Sequence, residues 1–177
     1  TGSAGYQSSA IQLYNSAGQV AGFSQRITGV DTVIGGNGRD TWYFDTVTLL
    51  TSAVIGSIRT SDNYAYSTAT ILTEGGFLLG NYLHFAGGLG DGEQRAFIFR
   101  PDLGMTDLGN LVTGGLTPNG WSTLQNPIFS DALTTIVGYG YVNGQTSGQS
   151  AFVMSIPAPG AAAALGLYGL LSIRRRR

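Results

Sequence analysis

Cysteine and lysine are both missing from these 177 residues, histidine occurs once, and charged residues amount to only 11%. Without cysteine the chain has no disulfide, no thiolate metal site and no thiol nucleophile. Without lysine every cation is an arginine, and four of the nine basic residues stand together at Arg174–Arg177. Residues 1–156 are left with five arginines against ten acids. An acidic body without clustered cations argues against nucleic acid as a partner, because phosphate neutralisation needs them. The glycine-rich stretches are not followed by Gly-Lys-Ser or Gly-Lys-Thr, so no phosphate loop is present. No Gly-x-Ser-x-Gly elbow occurs either. What the chain does have is glycine, 28 of them, among many Ser, Thr and Asn. Helix formers are scarce before residue 160, and the body reads as all-β with tight turns.

The body repeats. Tyr6–Ser24 lies over Tyr64–Tyr82 without a gap at an offset of 58, pairing Gly18 with Gly76, Val20 with Leu78 and Gly22 with Gly80. A third copy begins at Trp121 and brings Gly138 to the position 58 beyond Gly80. The second half of each copy aligns on Trp42, Phe97 and Phe152, spaced by 55. Loops of varying length between fixed flanking segments are the pattern of a repeat array. Within a copy, the spacing predicts a hairpin over 10–14 and 19–24 around the turn at Asn15–Gly18, then a second strand pair over 42–45 and 47–50. In copy two the second pair falls at 96–100 and 105–108. The alternation of Trp42 with Phe44, and of Phe97 with Phe99, predicts one buried face on each third strand. The expected fold is therefore all-β, three tandem repeats of about 58 residues resembling β-propeller blades, with copies near 5–62, 63–119 and 120–156. Three blades are fewer than a closed ring of about four to eight. The array is thus expected to be open, to be completed by further units ahead of Thr1, or instead to close its first strand with its last, since Thr1–Gly5 and Ser150–Ser155 sit at opposite ends of the repeats.

The phrases Asn15-Ser16-Ala17-Gly18-Gln19-Val20-Ala21-Gly22, Ala96-Phe97-Ile98-Phe99 and Met105-Thr106-Asp107-Leu108-Gly109 resemble the HAF repeat of bacterial extracellular proteins. The resemblance covers most of residues 5–156. It implies an extracellular location and brings no enzymatic role that maps onto these residues. Copy one departs from it with Thr41-Trp42 in place of Ala-Phe, copy two with Thr73-Glu74-Gly75-Gly76 at the turn, and copy three with Leu133 and Thr134 where the glycine would be.

Residues 157–177 form a separate segment. Pro157-Ala158-Pro159-Gly160 breaks regular structure, and 160–173 carries no charge before the run Arg174, Arg175, Arg176 and Arg177. As a helix this apolar stretch would span roughly 21 Å, short of the roughly 30 Å hydrocarbon core. It has no polar face, which distinguishes it from a surface helix of a soluble domain. Breaker, apolar helix and basic stop together resemble the PEP-CTERM sorting signals that exosortases cleave, with Ala158 where that family most often has Glu. The resemblance implies an exosortase-type membrane protease as partner and a transient membrane contact through 160–173. It also implies secretion or cell-surface display by way of the inner membrane, and an N-terminal signal ahead of Thr1.

Candidate chemistry is thin. His84 is expected as a strand-end imidazole among aromatics, since no partner motif accompanies it. Gly35–Asp40 and Asp91-Gly92-Glu93 lie in equivalent glycine-rich loops but lack the Asp-x-Asp-x-Asp-Gly spacing of a calcium loop, and read as solvated turns. Tyr6, Tyr64, Tyr66, Trp121, Tyr139 and Tyr141 could stack on sugars, although packing between repeats is the commoner use of such rings. The expectation is a non-enzymatic exported surface or matrix protein with no cofactor, metal or catalytic residue, in contact with extracellular polysaccharide. The competing expectation is a secreted propeller-type carbohydrate-active enzyme or binding module; glycosidase chemistry would need two carboxylates about 5–9.5 Å apart.

Overall fold

The computed structural model describes residues 8–26, 38–54, 56–90, 92–131, 135–145 and 147–155. The apolar segment and its flanks, 157–177, lie outside them, as does Thr1–Gly5. The described chain is all-β. Its strands are β1 (Ser9–Tyr14), β2 (Gln19–Gln25), β3 (Gly38–Asp45), β4 (Leu50–Val54), β5 (Ala65–Leu72), β6 (Leu78–His84), β7 (Glu93–Arg100), β8 (Gly104–Asp107), β9 (Trp121–Asp131), β10 (Thr135–Val142) and β11 (Ser150–Ser155). They form three antiparallel meanders, β1–β4, β5–β8 and β9–β11. The first two join into one eight-stranded sheet through a short parallel contact, Gly38 opposite Ala65 and Arg39 opposite Tyr66. Among the described residues neither sheet closes on itself.

The expected hairpins form, with one shift. Val47, placed by sequence in a strand, sits instead in the β3–β4 turn and is 79% exposed. Asp45 accepts from the backbone N–H groups of Val47 and Thr48, and Leu49 takes φ 57°, so the turn occupies 46–49 and β4 starts at Leu50, three residues later than expected. The first turns of the first two meanders are built alike. Gly18 and Gly76 both have φ 79°, and each donates its N–H to the carbonyl three residues back, on Asn15 and Thr73. Only glycine enters that left-handed region without a Cβ penalty.

The middle strands explain why glycine and a large aromatic recur. Gly22 pairs with Trp42, Gly80 with Phe97 and Gly138 with Phe152. A Cβ on Gly22 would lie 2.5 Å from the Trp42 ring, on Gly80 2.9 Å from the Phe97 ring, and on Gly138 2.6 Å from the Phe152 ring. In each meander the ring occupies the space a side chain on the facing glycine would need. The first strand bulges beside the same place: Gly22 and Gly80 would also press within 2.0 Å of the carbonyl oxygens of Ala10 and Thr68.

Each meander thus has a front face, carrying this ring, and a back face, carrying the alternate residues. Leu78, Phe97 and Phe99 on the front of the second pack with Ala21 and Tyr43 on the back of the first, with Tyr43 5.7 Å from Phe99 between ring centroids. Leu79 and Ile98 on the back of the second pack with Ile136 and Phe152 on the front of the third. The middle meander is buried on both faces, so β6 reads as an apolar run rather than an alternation. The predicted buried stripe therefore holds for Phe97 and Phe99 and fails for Trp42 and Phe44, which are only half-buried. In the first meander the buried residues of β3 are Thr41 and Tyr43, because the sheet that covers it lies behind.

Candidate functional site

An aromatic and arginine cleft opens where the first two meanders meet. It has a volume of about 230 Å³ and is lined by Ser8, Phe23, Gln25, Gly38, Arg39, Tyr64 and Tyr66. The parallel contact between β3 and β5 sets it up by bringing Arg39 beside Tyr66. The Arg39 guanidinium lies 4.5 Å from the Tyr66 ring centroid and 4.8 Å from that of Phe23, and donates to the Tyr66 hydroxyl. Tyr64 is held on its far side by Phe85, edge-on at 6.2 Å, and by the Arg59 guanidinium at 5.0 Å.

Six buried polar atoms of the first meander lack partners among the described residues. Gln25 Oε1, Arg26 Nε, Arg39 Nε, Asp40 Oδ1, Thr41 Oγ1 and Trp42 Nε1 are buried without a hydrogen-bond partner among the described residues. Of these residues only Gln25 and Arg39 line the cleft, and Asp40 and Trp42 lie on the opposite face of β3. Arg26 Nη1 bonds Asp40 Oδ2 at 2.5 Å. Burial nevertheless holds the Asp40 carboxyl above the usual range, the Arg26 charge and hydrogen bond opposing it. Gln25 and Arg39 set polar side chains beside the rings of Phe23, Tyr64 and Tyr66, a lining of the kind that takes a polyhydroxylated ligand.

The junction of the second and third meanders is filled differently. Asn81 Oδ1 accepts from the Asn126 N–H at 2.7 Å, and Asn81 and Gln94 both donate to Asn126 Oδ1. Gln125 donates to the Gln94 carbonyl, and Gln149 to Gln125 Oε1. A closed amide network occupies the place where the first junction has its cleft.

Of the residues singled out by sequence, Tyr64 and Tyr66 come together in the cleft. Trp121 packs edge-on to Phe152 at 6.1 Å, Tyr141 is half-buried, and Tyr139 is exposed on the back of the third meander. Tyr6 and the sorting-motif residues Pro157, Ala158, Pro159, Gly160 and Arg174–Arg177 lie outside the described residues, as do Gly35, Gly36, Asn37 and Asp91. His84 ends β6, half-buried and edge-on to Tyr82 at 6.3 Å. Among the described residues no three His, Cys, Asp or Glu side chains group as a metal site, and no helix is long and apolar enough to cross a membrane.

Phe23, Gln25 and Arg39 were missed by sequence reasoning. The available signal was Arg39 itself, a charge on β3 two residues before the buried Thr41 and so on the same face of the strand. No family model, no curated protein and no solved structure matches this chain.

Proposed function

We propose that this chain is a non-enzymatic exported surface or matrix protein, a body of blade-like β repeats of the HAF type released by cleavage at a PEP-CTERM-like tail. The placement of the carboxylates carries the non-enzymatic part of this reading. Asp40 pairs with Arg26, Asp62 with Arg59, Glu93 with Arg95 and Asp102 with Arg100. Asp45 caps its turn, Glu74 accepts from Ser16, and Asp107 accepts from Tyr82 and Gly109. Each of these acids is engaged in holding a turn, a strand or a junction, and acid–base hydrolysis needs carboxylates held for substrate instead. Intact-mass analysis of the native, surface-exposed protein tests the tail. Loss of Arg174–Arg177 is expected, and their retention in the mature protein would sink the sorting reading.

A saccharide-binding role has its own support in the cleft of Arg39, Phe23, Tyr64 and Tyr66, where polar side chains line a space walled by aromatic rings. Titration calorimetry with extracellular polysaccharide fragments is expected to show binding that Tyr66→Ala and Arg39→Ala each weaken by about tenfold or more, one stacking contact being worth roughly 1–3 kcal/mol. Equal affinity in both variants would remove the cleft from consideration.

A further inference from the structure

The same face-to-face contact is made twice inside this chain, and each end of the stack leaves half of it unused. Ala21 and Leu79 hold one back-face position in the first and second meanders, and Tyr43 and Ile98 hold another; all four are buried under the next front face. The matching residues of the third meander are Val137 and Val153. Val153 is 72% exposed, and Tyr139 beside it on the same face is exposed as well.

The front face behaves in the mirror sense. Leu78, Phe97 and Phe99 of the second meander, and Ile136 and Phe152 of the third, are buried. Their counterparts in the first, Val20, Trp42 and Phe44, are half-buried. On β1 the same face adds Ile11, opposite Gly22, and Tyr14, opposite Val20, exposed at 68% and 82%. The stack therefore ends in two apolar faces that differ from each other and are complementary in the way its own internal faces are.

We propose that a second copy of this chain docks the back of its third meander onto the front of the first, continuing head to tail the contact already made twice within each molecule. The contact requires Ile11, Tyr14, Val20, Trp42 and Phe44 on one copy and Val153 and Tyr139 on the other. It is heterologous: it ends when the rotation per unit brings the copies into a ring and runs on as a chain otherwise. Two copies would contribute six meanders, within the number that closes rings of such units. The proposal rests on the packing alone and is independent of the saccharide reading.

Sedimentation of the full chain and of two surface variants tests it. Ile11→Arg puts a charge on the front and leaves the back intact; Val153→Arg does the reverse. Both sites are exposed, and circular dichroism of each variant checks that the fold survives. Wild-type protein is expected to associate reversibly with concentration, each variant alone to stay monomeric, and an equimolar mixture to double in mass and stop there. In the mixture only one good front and one good back exist. A wild-type monomer at high micromolar concentration overturns the proposal, as does a mixture that stays monomeric. Association that persists in both single variants also overturns it and assigns self-assembly to the apolar segment 160–173.

Discussion

Asn15 shows how one side chain serves both its own turn and the next. Its Oδ1 accepts from the Gln19 N–H at 2.9 Å, as Thr73 Oγ1 accepts from Phe77 in the second meander, while its Nδ2 donates to the Thr73 carbonyl at 2.8 Å. Asn15→Thr should keep the first bond and lose the second, costing about 0.5–1.5 kcal/mol, whereas Asn15→Ala loses both and should cost about 1–3 kcal/mol. Urea denaturation of the two variants measures the difference, and equal losses would deny Asn15 its cross-meander role. Tyr82 makes a second residue-scale prediction. Burial, and then its hydrogen bond to Asp107 at 2.7 Å, keep its hydroxyl protonated well beyond the ordinary tyrosine range. Tyr43 shifts the same way, through burial and then the Asp45 charge. The native state therefore holds these protons more tightly than the unfolded chain. Stability present below about pH 10 is lost as pH rises above it, once the unfolded tyrosines ionise. Tyr82→Phe should flatten part of that alkaline decline, read from unfolding free energies between pH 8 and 11. An unchanged slope would place the decline elsewhere.

At the scale of the strand, the glycine and its facing ring form one unit. Gly80→Ala would drive a methyl to 2.0 Å from the Thr68 carbonyl oxygen and 2.9 Å from the Phe97 ring, and should cost at least about 1–3 kcal/mol. Phe97→Ala empties the same place and should cost about 3–5 kcal/mol. Because the two changes act on one contact, their effects should not add, and a double-mutant cycle measures the coupling. These pairings were largely legible beforehand: the 58- and 55-residue spacings locate Gly22, Gly80, Gly138 and their aromatics, and turn chemistry located the hairpins. Val47 was not legible, because a β-branched residue between Thr46 and Thr48 satisfies strand propensity, and only the Asp45 hydrogen bonds decide for the turn. The cleft was half legible. Two tyrosines were named, but Arg39 and Phe23 meet Tyr66 only through the parallel contact of β3 with β5, about which local pattern carries no information.

For the molecule as a whole, the order of the meanders matters more than their number. Direction of stacking makes one end front and the other back, and this asymmetry gives the expected head-to-tail contact and the expected stop at a 1:1 mixture of Ile11→Arg with Val153→Arg. The proposed removal of the tail, read by intact mass, belongs to this scale too. Residue types and repeat spacing by themselves determined that disulfides and thiolate metal sites are excluded, that the body is all-β, and that its turns, glycines and aromatics recur. Which face of each sheet is covered was decided only by the tertiary structure. Trp42 and Phe97 share a pattern and differ in burial, because burial depends on whether another sheet lies in front, and a strand's own sequence does not encode its neighbour.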